Sequence, residues 1–166
     1  MFMIPKVYVD LDVLSYMAEL PTNEFEKIPM AKRVLKLADQ MKIELVISMA
    51  TIKTSLDASL RMGRLSRERY VYLLREFRAV TEKVRHLTLE IDLVKAEELA
   101  NKYKSIGVAK AENRTHLACA TLCEVDYFLT WDEEHILARK DEIKELNRRE
   151  GLKIFDIMRP QDLEVS

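Results

Sequence analysis

Short apolar runs alternate with stretches of helical periodicity from one end of this 166-residue chain to the other. The runs are Lys6–Val9, Glu44–Ser48, His86–Glu90, Tyr127–Thr130 and Lys153–Ile157. They are short, and the first two and the fourth are almost continuously apolar. Such runs read as strands buried on both faces, as in the middle of a parallel sheet. Between them the apolar residues recur at helical spacing. This predicts helices over Val13–Leu20, Met30–Asp39, Thr51–Met62, Ser66–Thr81, Asp92–Tyr103, Lys110–Cys123 and Glu133–Leu146. Pro21 stops the first helix, and residues Pro21–Pro29 read as a loop. Gly63 and Gly107 mark breaks after helices. Strand–helix alternation of this kind implies an α/β fold: a three-layer α/β/α sandwich with a central parallel sheet. At this length, with no repeat and no linker, residues 1–166 read as a single domain.

The chemistry concentrates where strands stop. Val7-Tyr-Val9 ends on Asp10, with Asp12 two residues on, and Tyr127-Phe-Leu-Thr130 is followed by Trp131 and Asp132. In open α/β sheets, ligands bind beyond the carboxyl ends of the strands. If the first and fourth strands are neighbours, Asp10, Asp12 and Asp132 converge. Carboxylates brought within a few Å raise one another's pKa unless a cation neutralises them. A hard divalent ion with oxygen ligands, Mg²⁺ or Mn²⁺, answers that need. It would also activate water against a phosphodiester. The plainer reading is that Asp10 and Asp12 cap the following helix.

Composition narrows the partners. The net charge of −1 creates no global field toward nucleic acid or a membrane, so any such contact must be local. The one basic stretch is Arg61–Arg85, where Arg61, Arg64 and Arg67 lead a segment interleaved with Tyr70, Tyr72 and Phe77. It reads either as a phosphate-tracking patch or as a solvated helix whose aromatics serve a core or a dimer seam. No apolar run approaches the roughly 20 residues a membrane helix needs. The opening residues lack the basic-then-apolar pattern of a signal peptide. Cys119 and Cys123, four apart on one helix, make no disulfide framework. A soluble, cytoplasmic protein is expected. Glycine-rich phosphate loops, Gly-x-Ser-x-Gly elbows and Cys-x-x-Cys pairs are absent from the sequence. His116, Cys119 and Cys123 share a helix face, read as a packed face rather than a soft-metal site because no partner pair of ligands exists elsewhere. His135 reads as a surface residue and Trp131 as packing.

Val7-Tyr-Val-Asp-Leu-Asp-Val-Leu-Ser-Tyr16, Ile47-Ser48, Thr115-His-Leu-Ala-Cys-Ala120 and Asp126-Tyr-Phe-Leu-Thr-Trp-Asp132 together resemble PIN domains. These are the metal-dependent ribonuclease domains found as VapC-type toxins of bacteria and archaea. The tail Ile143…Asn147…Gly151…Ile157…Pro160…Leu163 is similar to that of the subgroup with a Thr-Trp-Asp/Asn turn. The resemblance runs in order over nearly the whole chain. It implies a homodimer, RNA as substrate, a companion antitoxin protein, and Mg²⁺ or Mn²⁺ held by an acidic cluster. Carried over by position, that cluster is Asp10, Asn113 and Asp132, the catalytic and metal-holding set, with Thr54 where the family has a glutamate. Two of the family's four acids are therefore neutral here, at Thr54 and Asn113, and the ion should be weakly bound. Asp12, Thr54, Asp57 and Glu112 are auxiliary candidates. Glu112 neighbours Asn113 on a helix and so points roughly 100° away from it. Three readings follow: a VapC-type endoribonuclease with weakened activity, a non-cleaving PIN domain that binds RNA or protein, and a haloacid-dehalogenase-like phosphatase suggested by Asp10-Leu-Asp12. The last needs a threonine or glycine-rich turn after Asp12, which Val13-Leu14 does not supply.

Overall fold

In the computed structural model the described residues are 3–84, 86–87 and 92–165. They form strands β1 (Lys6–Val9), β2 (Glu44–Val46), β3 (His86–Leu87), β4 (Tyr127–Leu129) and β5 (Asp156–Met158). The helices are α1 (Leu11–Met17), α2 (Lys27–Asp39), α3 (Met49–Arg61), α4 (Arg67–Lys83), α5 (Leu93–Ser105), α6 (Ala111–Leu122) and α7 (Lys140–Arg149). All pairings are parallel, in the order β3-β2-β1-β4-β5. Four strands form the body of the sheet, and the two-residue β3 extends it at the β2 edge. The remainder of the expected third strand, residues 88–90, lies outside the described residues.

Side chains alternate across the sheet, as a pleat requires. Val7, Val9, Leu45 and Leu129 enter one core with α1, α2, α3 and α4. Tyr8, Val46, Phe128 and Ile157 enter the other with α5, α6 and α7. Two cores on opposite faces make the three-layer α/β/α sandwich expected from the alternation. β1 is central, and Val7, Tyr8 and Val9 are at most 2% exposed, so nothing polar could replace them cheaply. In the second core Tyr8 stacks on Phe128 with ring centroids 5.3 Å apart.

The helices follow their apolar stripes. On α2 the buried positions are Ala31, Val34, Leu37 and Ala38, with Leu35 half-buried. On α5 they are Ala96, Leu99 and Tyr103, while the side chain of Leu93 is outside the described set. On α4, Phe77 and Val80 are buried, and Tyr70, Leu73 and Leu74 are packed half-buried against the first core. Helices α3 and α4 pack as a hairpin, joined by Tyr70 Oη donating to Asp57 Oδ1 at 2.6 Å. Gly63 ends α3 in the left-handed region at φ +70°, where a side chain would be strained.

Several boundaries differ from expectation. Helix α1 is Leu11–Met17, not Val13–Leu20, and ends before Pro21, while β2 stops at Val46 because Ser48 caps α3. The loop ends earlier than Pro29, because α2 starts at Lys27 and Pro29 sits in its first turn. Helix N–H groups there lack intrahelical acceptors, so proline loses nothing. Residues 133–146 are not one helix: turns over 133–136 lead into a 3₁₀ segment, Leu137–Arg139, before α7. Asp132 causes this, accepting from His135 N through its side chain at 2.9 Å and from Leu137 N through its carbonyl at 2.9 Å. The last strand is Asp156–Met158, not Lys153–Ile157. The carbonyl of Lys153 is instead spent on Asn147 Nδ2, at 2.8 Å.

Candidate functional site

The strand order puts β1 beside β4, and the chain leaves them in opposite directions. After β1 it builds outward to β2 and β3; β4 continues to β5 on the other side. A crevice opens at the carboxyl ends of two such strands, the usual ligand position in open parallel sheets. Asp10 follows β1 there and is 5% exposed. It caps α1, with Oδ1 accepting from Leu11 N at 2.7 Å. Capping and a place in the site are therefore both true of this residue.

Thr130, at the end of β4 and fully buried, ties the acids together. Its hydroxyl donates to Asp10 Oδ2 at 2.9 Å, lies 3.4 Å from Asp12 Oδ2, and accepts from Asp132 N at 3.0 Å. Asp12 Oδ2 also accepts from Trp131 N at 2.9 Å. Asn113, from α6, reaches across to donate Nδ2 to Asp132 Oδ2 at 3.2 Å. The structure thus brings Asp10, Asp12, Asn113 and Asp132 to one spot, from β1, α1, α6 and the β4 exit.

That spot is electrostatically loaded. Burial first, and the Asp10 charge second, push the Asp12 carboxyl up to about 7, against hydrogen bonds from Trp131 and Val13 that pull it down. Asp12 has some solvent-facing surface but is otherwise sunk among protein atoms. A carboxyl raised this way beside a second carboxylate is the condition a divalent cation relieves. The donors are hard oxygens, so Asp10, Asp12, Asp132 and the Asn113 amide oxygen fit Mg²⁺ or Mn²⁺.

The other candidates divide. Thr54 is exposed on α3, and its hydroxyl turns back to Ala50 O at 2.9 Å. Asp57 is occupied by the hairpin: Tyr70 Oη and, at 2.9 Å, Lys53 Nζ hold its carboxyl below the usual range. It does not supply the missing acid. Glu112 does approach the site, through His116, with Oε1 3.8 Å from His116 Nε2. His116 depresses the Glu112 carboxyl in turn. Arg61, Arg64 and Arg67 are exposed around the tip of the α3–α4 hairpin. Arg64 lines a cleft of about 620 Å³ between α3, α5 and α6, with Thr54, Ser55, Thr115 and Glu112 on its walls.

Sequence reasoning read His116, with Cys119 and Cys123, as part of a packed helix face and did not place it at the acidic cluster. It is 1% exposed, with Nδ1 bonded to Tyr8 Oη at 2.7 Å and Nε2 3.7 Å from Asp10 Oδ1. Burial alone would lower its pKa, but Glu112 and Asp10 outweigh that and raise it. The sequence signal that linked His116 to the cluster was the three-residue step from Asn113, which puts both on one helix face. Cys119 and Cys123 are buried thiols in the second core, and Cys119 Sγ meets Thr51 Oγ1 at 3.3 Å. Trp131 packs edge-on against Tyr16 and donates Nε1 to Gln161 Oε1 at 2.9 Å. Half-buried His135 lies beside Glu134, its Nε2 3.7 Å from Glu134 Oε2.

No family model matches this chain, and a search among curated proteins finds no significant match. Among the described residues, no helix is long and apolar enough to cross a membrane.

Proposed function

We propose that this protein is a PIN-like, metal-dependent endoribonuclease of VapC type, working with a site depleted in negative charge. The observation that carries the reading is the shared Thr130 hydroxyl, which holds Asp10 and the Asp132 backbone on one atom at the switch between β1 and β4. Asp10 and Asp132 are the principal ligands, with Asp12 and the Asn113 amide oxygen beside them. An Mg²⁺ or Mn²⁺ held by these residues would supply water activation and charge neutralisation for phosphodiester cleavage. The chain's own residues fix that ion: Thr130 orients Asp10, and Asn113 and His135 N orient Asp132. The exposed arginines of the hairpin supply a local positive edge for an RNA backbone on a protein of near-zero net charge. The phosphatase alternative fits less well, because Asp12 and Val13 already lie inside α1 and no turn follows them.

A second reading, a non-cleaving PIN-like domain that binds RNA or a protein partner such as an antitoxin, is favoured by one feature. Thr54 and Asn113 are neutral at two positions where the resemblance places acids, leaving Asp10, Asp12 and Asp132 as the carboxylates of the cluster. Cleavage of a labelled single-stranded RNA in Mn²⁺ separates the two. Slow cleavage is expected, falling at least about 100-fold in Asp10→Asn and in Asp132→Asn, a loss equivalent to roughly 2.7 kcal/mol. Thr54→Glu with Asn113→Asp should raise both the calorimetric Mn²⁺ affinity and the rate. Undetectable cleavage by the unmodified and the restored proteins alike would transfer the case to the binding reading.

The same reading carries a homodimer. Helix α4 leaves Val71 52% and Tyr72 37% exposed beside half-buried Leu73 and Leu74, more apolar surface than one helix can hide against its own core. Sedimentation at micromolar concentration should return the mass of two chains, and Tyr72→Glu should return one. A monomer at high micromolar concentration removes this assignment.

A further inference from the structure

We propose that the ion in this site is held partly by nitrogen: His116 Nε2, together with Asp10 and Glu112, completes the ligand set and selects a first-row transition ion such as Mn²⁺ over Mg²⁺. The inference rests on the metal-site reading above and names the ion class that the site takes.

Among the described residues, His116 Nε2 is the buried side-chain polar atom left without a hydrogen-bond partner. Buried polar groups are nearly always satisfied, so an orphan beside a functional cluster points to a missing ligand. This atom sits between two carboxylates, 3.7 Å from Asp10 Oδ1 and 3.8 Å from Glu112 Oε1. Both gaps are too long for hydrogen bonds. Both are short enough for one ion, because donors at bond lengths of about 2.0–2.2 Å can lie up to about 4.2 Å apart.

The other ring nitrogen supports the assignment. A ligating histidine commonly spends its second nitrogen on a neighbour that fixes its tautomer and orientation. Here Nδ1 is 2.7 Å from Tyr8 Oη, on the buried central strand. With Nδ1–H donating to Tyr8, Nε2 carries its lone pair toward Asp10. Two of the three donors are rigid: Tyr8 holds His116, while Leu11 N and Thr130 Oγ1 hold Asp10. Glu112 is the adjustable one, its side chain 41% exposed at the mouth of the α3–α5–α6 cleft. Among the described residues no three such side chains already surround one point. Closure of Glu112 onto the ion completes the set. Imidazole strengthens binding of first-row transition ions, Zn²⁺, Fe²⁺ and Ni²⁺ most and Mn²⁺ least, whereas Mg²⁺ takes oxygen ligands. Glu112 would then supply negative charge that the neutral Thr54 and Asn113 do not, and His116 a further donor.

Pulsed EPR of the full-length protein loaded with Mn²⁺ reads the proposal directly. One ¹⁴N coupling of the size given by a directly bound imidazole is expected, absent in His116→Gln. His116→Gln should weaken Mn²⁺ by tenfold or more while Mg²⁺ affinity changes less than about threefold, a split that a merely structural histidine would not produce. Tyr8→Phe keeps the ring and its packing, removes the orienting hydroxyl, and should weaken Mn²⁺ about tenfold or more. It decides the matter if His116→Gln does not fold. Mn²⁺ bound at an Asp10-dependent site without ¹⁴N coupling would overturn nitrogen ligation and leave the ribonuclease reading standing. No Asp10-dependent binding of either ion would end both.

Discussion

Raising the pH from about 4.5 to 8 should cost the unmodified protein about 2–3 kcal/mol of stability relative to Asp12→Asn, allowing for screening on the solvent side of Asp12. The Asp12 carboxyl is pushed up to about 7 by burial and by Asp10. A carboxyl with a raised folded pKa holds its proton more tightly when folded than when unfolded. Its contribution is complete below the unfolded value near 4 and is lost as the pH climbs through 7. Asparagine cannot ionise, so the variant has no such loss from this position. The absolute stability of Asp12→Asn at low pH is not the readout, since an amide replaces one of two oxygens that accept from Val13 N and Trp131 N. The readout is how the difference between the proteins grows across urea titrations at pH 4.5, 6 and 8. A difference constant within about 0.5 kcal/mol would show that Asp12 is solvated and uncoupled from Asp10. On the metal reading, saturating Mn²⁺ should flatten the unmodified protein's profile.

Asn147→Ala should destabilise the fold by about 3–4 kcal/mol, lowering the melting temperature by on the order of 10 °C. Asn147 is 1% exposed on α7 and joins four elements. Its Oδ1 accepts from Tyr103 Oη of α5 at 2.7 Å, and its Nδ2 donates to Lys153 O ahead of β5 at 2.8 Å. The same tyrosine hydroxyl lies 2.6 Å from Thr121 Oγ1 of α6. Alanine leaves a buried carbonyl and a weakened hydroxyl pair, each costing about 1–3 kcal/mol, with a small cavity besides. Tyr103→Phe removes its donor along with its need and should cost distinctly less. In the double variant the two losses should fall short of additive by 0.5 kcal/mol or more, as for residues in one network. A cost below about 1 kcal/mol for Asn147→Ala would mean that water or rearrangement satisfies these groups.

Asn147 also shows how far the sequence could be read. Its place in a family-like tail was legible, but its role was not, because its partners come from three other elements. Pro29 is a converse case: the residue reads as a loop terminator, yet a helix's first turn tolerates it, and α2 begins at Lys27. The acids were legible as acids at strand ends. Thr54 and Asn113 were legible as neutral where acids were expected, but Asp57 was not legible as spent on Tyr70 and Lys53.

What the sequence determined by itself was the alternation of strands and helices, the burial of Val7-Tyr-Val9, and the carboxylates just beyond the strands. Periodicity, chain punctuation and charge are carried by residues near one another in the chain, so they can be read there. The tertiary structure decided adjacency. It placed β1 against β4, which makes one site of Asp10 and Asp132, and it hung both from Thr130, 120 residues from Asp10. It also turned His116 toward Asp10 by anchoring it to Tyr8, 108 residues away. Contacts at such separations depend on sheet order and on which helix face the core accepts, and those are settled only when all the layers pack together.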